Sequence, residues 1–136
     1  MEFSSEVRAF FPLVGKSRVY FGHMGELVAV ERSKISQFMT TRWSPRTIKE
    51  KTALLDWQTH DLPCGKPDWV ILTGDDTNDK AVLLAGGPKG IAATAAATGE
   101  KVWIVEEKES TLSPAVSRGR VYLTTATGRI VCLAVP

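Results

Sequence analysis

The amino-acid sequence predicts an all-β fold built from repeated, short antiparallel strands. Three observations lead to this prediction: short apolar segments bounded by turn residues, an internal repeat, and tryptophans that recur near the ends of the repeats. With 136 residues, of which 43% are hydrophobic, the chain has enough apolar surface for a core. The net charge of +2 excludes a disordered, highly charged tail and argues against a dedicated nucleic-acid binder.

Segments rich in valine, isoleucine, leucine and aromatic residues are the predicted strands. β-branched and aromatic side chains favour extended backbone, and turn residues flank each segment. Apolar and polar residues alternate most clearly in the segment 120–125. In chain order the predicted strands are Arg18–Phe21, Leu27–Glu31, Trp69–Leu72, Ala81–Ala85, Ile91–Ala95, Lys101–Val105, Ala115–Ser117, Arg120–Thr125 and Ile130–Ala134.

An internal repeat relates the two ends of the chain. The segments 12–21 and 114–123 carry proline, valine, arginine, valine and tyrosine at the same offsets, and each continues through a glycine turn into a second strand. A more degraded middle copy begins at Ala81. The matching pairs are Pro12 and Pro114, Val14 and Val116, Arg18 and Arg120, Val19 and Val121, and Tyr20 and Tyr122.

The repeat predicts β-propeller blades of four-stranded antiparallel sheets in an incomplete ring. Four short strands per ~40 residues, with a glycine turn and a recurring aromatic residue, are typical of a propeller blade. A β-sandwich has strands of similar length but gives no reason for a repeat. We expect a single partial propeller over 1–136, because about three blades fall short of the four to eight of a closed ring. The expected blade-like units are about 11–66 (with an insertion at 33–52), 67–112 and a truncated 113–136.

The segment Ala93–Trp103 resembles a tryptophan-docking motif, Ala-x-Asp-x-x-Thr-Gly-(Lys/Glu)-x-x-Trp. This motif belongs to the pyrroloquinoline-quinone-like β-propeller repeats of quinoprotein dehydrogenases, and the segment 113–133 is similar to the next blade of that family. The resemblance implies that Thr98, Gly99, Trp103 and Trp57 dock one blade on another. Ala95 stands where the family has aspartate, and none of the family's quinone or calcium ligands aligns with this chain.

Because none of these ligands aligns, we expect a non-catalytic, propeller-type binding or scaffold module that is the C-terminal part of a larger quinoprotein-like propeller. Its expected partners are another protein, the missing blades or a second copy of the chain, and it needs no cofactor. The alternative is a fragment or subunit of an oxidoreductase that depends on pyrroloquinoline quinone and Ca²⁺. No segment is long enough for a membrane span, and the N-terminus lacks the features of a secretory signal. The family is largely periplasmic, whereas this sequence shows no signal, and we assign no compartment from the two together.

A basic insertion is the first candidate for partner binding. It interleaves Phe38 and Trp43 with Arg42 and Arg46 and carries a single acidic residue. Such a loop can stack on bases or carbohydrate, or hold an acidic partner, whereas the alternative is a solvated loop that covers one face of the propeller.

Three other groups of residues have side chains that could support chemistry. Asp75, Asp76, Asn78 and Asp79 form a dense cluster of oxygen ligands, but they lack the spacing of a calcium loop and are expected to form an exposed acidic hairpin. His23 and His60 have no partnered nucleophile and are expected in surface turns. Cys132 is expected in the core, and Cys64 in a loop where its thiol is either reactive or inert.

Overall fold

The chain folds mainly into β-strands, so the all-β prediction is confirmed. The computed structural model describes residues 12–23, 25–42 and 44–134, and for His23 and Ser113 it describes the backbone alone. The strands are β1 (Leu13–Val14), β2 (Arg18–His23), β3 (Glu26–Glu31), β4 (Trp57–Gln58), β5 (Trp69–Thr73), β6 (Val82–Gly87), β7 (Gly90–Ala95), β8 (Lys101–Glu106), β9 (Thr111–Ser117), β10 (Arg120–Thr125) and β11 (Ile130–Ala134).

The strands form three antiparallel sheets in which neighbours in sequence are neighbours in space. The first sheet has the order β1-β2-β3-β4 and the second the order β5-β6-β7-β8. The third sheet has three strands among the described residues, in the order β9-β10-β11. The first two sheets have the four antiparallel strands that the sequence predicted for a blade, and β9 begins at Thr111, slightly before the expected unit of 113–136.

Side chains that alternate along the strands of the second sheet enter two separate cores. Because successive residues of a strand point to opposite faces, Leu83 and Leu84 belong to different clusters. Leu83 packs with Tyr20 of the first sheet, whereas Leu84 packs with Leu123 of the third sheet. The second sheet is therefore stacked between the other two.

The basic insertion folds into two short helices instead of the irregular loop that the sequence suggested. They are α1 (Ile35–Thr40) and α2 (Ile48–Ala53), and a single 3-10 turn (Arg32–Lys34) precedes them. Each helix has only six residues, too few for a clear helical period to show in the sequence.

Helix α1 covers the outer face of the first sheet, the face that points away from the second sheet. Phe38 is only 2% exposed, and its ring lies 5.2 Å from the ring of Phe21 in β2. The Lys51 ammonium lies 4.4 Å from the centre of the Phe38 ring and donates a 2.6 Å hydrogen bond to the carbonyl of Thr41. Burial lowers the pKa of Lys51. The insertion thus covers this end of the stack. The Phe38 ring packs on the sheet, and the Lys51 ammonium lies over the ring.

The outer face of the third sheet, at the other end of the stack, is not covered by any of the described helices or strands. Leu112 and Ile130 are 50% and 74% exposed, and Tyr122, in the central strand β10, is 38% exposed. Tyr122 pairs with Cys132 across β10 and β11, so both side chains lie on this face. None of the described helices has the length and apolar character needed to cross a membrane.

Candidate functional site

Trp57 joins the first sheet to the second. Its indole nitrogen donates a 2.9 Å hydrogen bond to the carbonyl of Ala96, in the turn that follows β7. The ring lies on Gly99 of the same turn, so close that a Cβ on this glycine would be 2.5 Å from the indole. Gly99 also has a φ of +78°, which glycine adopts at little cost. The structure thus brings together Trp57 and Gly99, two of the predicted docking residues.

The other two predicted docking residues have different surroundings. Thr98 accepts a 3.3 Å hydrogen bond from the backbone nitrogen of Glu100 and so stabilises the turn rather than touching the indole. Trp103 is half-buried and packs against the core between the second and third sheets. The glycine turn before β11 has open space at Gly128, because a Cβ at this position would have no described atom within 4 Å. Among the described residues, no tryptophan therefore covers this turn.

Trp69 forms a second tryptophan contact that the sequence did not single out. Its indole nitrogen donates 3.0 Å hydrogen bonds to both the carbonyl and the hydroxyl of Thr111, at the start of β9. The ring occupies the space beside Gly86, its cross-strand partner. A glycine in an otherwise apolar strand was the available signal, because it marks a close approach of another group.

The acidic loop contributes its best-buried member, Asp76, to the junction of the first two sheets. The Asp76 carboxylate accepts hydrogen bonds from three successive backbone nitrogens, those of Lys16 (2.7 Å), Ser17 (3.0 Å) and Arg18 (3.1 Å), and from the Tyr20 hydroxyl (2.9 Å). Successive N–H groups that converge in this way form a concave binding site for an anion. Here the anion is the chain's own carboxylate, only 3% exposed, so Asp76 departs from the expected exposed hairpin.

The electrostatics of this junction follow from its burial and hydrogen bonds. Burial raises the pKa of Asp76, but the hydrogen bonds from Ser17, Tyr20 and the neighbouring nitrogens outweigh burial, so the pKa is lowered overall. Burial and the hydrogen bond to Asp76 raise the pKa of Tyr20. A Cβ on Gly15 would collide with the Asp76 carboxylate, so the loop needs glycine there. The carboxylate therefore acts as a clasp between the sheets.

The rest of the acidic cluster stays at the surface and is not arranged as a metal site. Asp75 forms a 2.7 Å ion pair with Lys16. Hydrogen bonds from the Lys16 and Thr77 side chains hold the pKa of Asp75 well below its usual range. Asn78 accepts a hydrogen bond from the backbone of Lys80. Within the part of the chain that the structure describes, no three histidine, cysteine or acidic side chains are placed to share a metal ion.

The basic insertion divides into a buried and an exposed part. Phe38 lies in the interior, where a partner could not reach its ring without displacing α1. Arg42 and Arg46 are exposed, and Trp43 lies outside the described residues. The surface offered by the described part of the insertion is therefore cationic rather than aromatic.

A cavity of about 250 Å³ lies beside His60, at the edge of the junction between the first and second sheets. His60 is exposed, as predicted, and lines this cavity together with Asp61 and Lys101. Asp61 has a φ of +54° and donates its backbone N–H to the Glu26 carboxylate at 2.8 Å. Among the described residues, the cavity is lined by the hydroxyl-bearing side chains of Thr59 and Thr94 but by no cysteine or serine.

Cys64 lies in a loop, as the sequence predicted, whereas Cys132 lies outside the core in which it was expected. Cys64 is fully buried, whereas Cys132 is exposed on the outer face of the third sheet. Alternation along β11 explains the error, because Val131 and Leu133 turn inward and leave the intervening Cys132 outside. Burial raises the pKa of Cys64 to about 11, which leaves its thiol protonated near neutral pH.

We expect Cys132 alone to react with a thiol reagent while the protein is folded. Titration with an aromatic disulfide at pH 7.5 should release one equivalent of thiolate rapidly, and a second equivalent only after unfolding in urea. The variant Cys132→Ser should lose the rapid phase, and Cys64→Ser should keep it. Rapid reaction of both thiols would show that the Cys64 environment opens readily.

No protein-family model matches the chain, and no curated protein matches it significantly.

Proposed function

We propose that the chain is a non-catalytic binding or scaffold module built from propeller-type blades. The observation that carries this proposal is the contact between Trp57 and the turn at Ala96 and Gly99, which fastens one four-stranded sheet to the next. The resemblance to pyrroloquinoline-quinone-like repeats supports the same conclusion, since a docking tryptophan in that family packs blades together.

Three buried groups with shifted pKa values also support a structural assignment. Tyr20 and Asp76 satisfy each other between two sheets, and Cys64 is enclosed in the same core. Perturbed pKa values mark catalytic groups where those groups face a cleft that a substrate can enter. These three groups face packed side chains and backbone, and the hydrogen bonds of Tyr20 and Asp76 join the first two sheets.

A second candidate function is that of an oxidoreductase fragment that binds pyrroloquinoline quinone with Ca²⁺, as the resemblance implies. A titration of the protein with both compounds, followed by the absorbance of the quinone, tests this alternative. The scaffold proposal expects no saturable spectral change. A saturable change with one-to-one stoichiometry would instead favour the oxidoreductase fragment.

The exposed cations of the insertion, Arg42 and Arg46, support an acidic protein surface as the partner of this module. We expect a fluorescein-labelled deca-glutamate peptide to bind, with an affinity that falls as salt is added. Reversing both Arg42 and Arg46 to glutamate should weaken binding about tenfold, because two attractive contacts become repulsive.

The matched control reverses a second exposed pair, Arg118 and Arg120, in the hairpin between β9 and β10. This variant has the same net charge as the first and should bind the peptide with nearly unchanged affinity. Equal loss of binding in the two variants would contradict a localised surface and indicate attraction to net charge alone.

A further inference from the structure

The third sheet ends at β11, which is an edge strand among the described residues. In the first two sheets, the third strand pairs on its outer side with a fourth, antiparallel strand, as β3 does with β4 and β7 with β8. In the third sheet β11 is the corresponding strand, and its outer side has no partner among the described residues.

The backbone of β11 presents alternate hydrogen-bonding groups at this edge. Thr125 donates its backbone N–H to the carbonyl of Arg129, and Arg129 donates its own to the Thr125 hydroxyl, so the backbone of Arg129 faces β10. By alternation, the backbone groups of Val131 and Leu133 also face β10. Those of the three intervening residues face outward: Ile130, Cys132 and Ala134.

The strand also lacks the usual protection of an exposed edge. Its sequence, Ile-Val-Cys-Leu-Ala, contains no charged residue and no proline, the two features that commonly prevent edge strands from pairing. The edge is therefore chemically permissive for pairing with an extended peptide.

A row of side chains in the first sheet shows what the added strand should carry. Tyr20 in β2 pairs with Ala29 in β3, and Ala29 pairs with Trp57 in β4. The small alanine leaves room above it, and the Tyr20 and Trp57 rings approach to 6.0 Å. In this row a tryptophan therefore reaches a tyrosine across a small residue.

The third sheet repeats the first two members of this row. Tyr122, the repeat partner of Tyr20, pairs with the small Cys132. Tyr20 is fully buried under its neighbours, whereas Tyr122 is 38% exposed. The second sheet uses a similar combination, since Trp103 of the fourth strand pairs with Ala93. In the described part of the chain, the third sheet thus has a tyrosine and a small residue but no aromatic residue on a fourth strand.

We propose that β11 binds an extended peptide segment as an antiparallel fourth strand, with an aromatic residue of that segment opposite Cys132 and in contact with Tyr122. The proposal rests on the binding-module function and names a partner surface for it. Backbone hydrogen bonds to Ile130, Cys132 and Ala134 supply affinity, and the aromatic residue fixes the register.

The chain's own fourth strand supplies a probe of matching chemistry. A fluorescein-labelled peptide of residues 98–107, which contains Trp103, should bind saturably in fluorescence anisotropy. The peptide in which Trp103 is replaced by alanine should bind at least tenfold more weakly. In the protein, Tyr122→Ala should weaken binding about tenfold, whereas Leu112→Ala, which removes an exposed side chain from the opposite edge strand of the same sheet, should leave the affinity unchanged.

Amide hydrogen exchange tests the geometry of the bound strand. Peptide binding should newly protect the amides of Ile130, Cys132 and Ala134, and it should change little at Val131 and Leu133, which already face β10. Protection of these amides that rises with protein concentration in the absence of peptide would identify a second copy as the occupant and overturn the proposal. Absence of peptide binding would also overturn it. Binding of deca-glutamate in that case would leave the scaffold function standing.

Discussion

Replacing Asp76 with alanine is expected to lower the free energy of unfolding by about 3–5 kcal/mol. The substitution removes the acceptor for three consecutive backbone N–H groups and for the Tyr20 hydroxyl. A buried donor that loses its acceptor costs about 1–3 kcal/mol, and several donors lose theirs here. Urea unfolding followed by tryptophan fluorescence measures the change.

Two matched variants separate the effect of the Asp76 hydrogen bonds from the effect of the negative charge of the loop. Asp79→Ala removes an exposed carboxylate of the same loop and should change the stability by less than about 0.5 kcal/mol. Asp76→Asn keeps one oxygen acceptor and should fall between the alanine variant and the wild type. If Asp76→Ala were as mild as Asp79→Ala, the carboxylate would not hold the sheets together.

The clasp also predicts how stability depends on acid. The pKa of Asp76 is lowered in the folded protein, and an unperturbed aspartate titrates near pH 4. The unfolded chain therefore takes up the proton first, and the contribution of Asp76 is complete above about pH 4 and is lost as the pH falls through the folded-state pKa. The wild type should lose stability below pH 4 more steeply than Asp76→Asn does. Parallel curves for the two proteins would assign the acid sensitivity to other groups.

The sequence predicted the sheets better than it predicted what covers them. Short strands, glycine turns and the repeat between 12–21 and 114–123 are local patterns, and the structure has antiparallel sheets at those places. The helices of the insertion were missed, because α1 owes its stability to the contact of Phe38 with Phe21 rather than to its own six residues. A tertiary contact of this kind leaves no periodic signal in a short segment.

The candidate site shows the same division between local and tertiary information. The pattern around Gly99 drew attention to the tryptophans, but it could not show that Trp57 of one sheet, and not Trp103 of the same sheet, lies on that glycine. Asp76 looked like one of several loop carboxylates, and only the approach of the turn at 15–18 selects it for burial. Residues far apart in sequence decide both contacts.

The contact between Trp57 and Gly99 leads to the second large effect. Trp57→Ala should lower the free energy of unfolding by about 3–5 kcal/mol, because it empties the space between two sheets and leaves the Ala96 carbonyl without its donor. Trp57 is only 9% exposed, so water cannot readily take the place of the lost ring. Thermal and urea unfolding measure the loss, with Trp103→Ala, a half-buried tryptophan, as the milder comparison.

A pair of glycine variants isolates the docking contact from backbone strain. Gly99 and Gly128 have φ values of +78° and +89°, so alanine at either position costs about 1 kcal/mol for the left-handed backbone. Only at Gly99 does the new methyl group also meet the indole of Trp57, whereas Gly128 faces open space. Gly99→Ala should therefore destabilise the protein by about 2 kcal/mol more than Gly128→Ala, as expected for overpacking. In a Trp57→Ala background the two glycine variants should become equivalent, because the ring that distinguishes them is gone, and a difference that persisted there would place its cause outside the Trp57 contact.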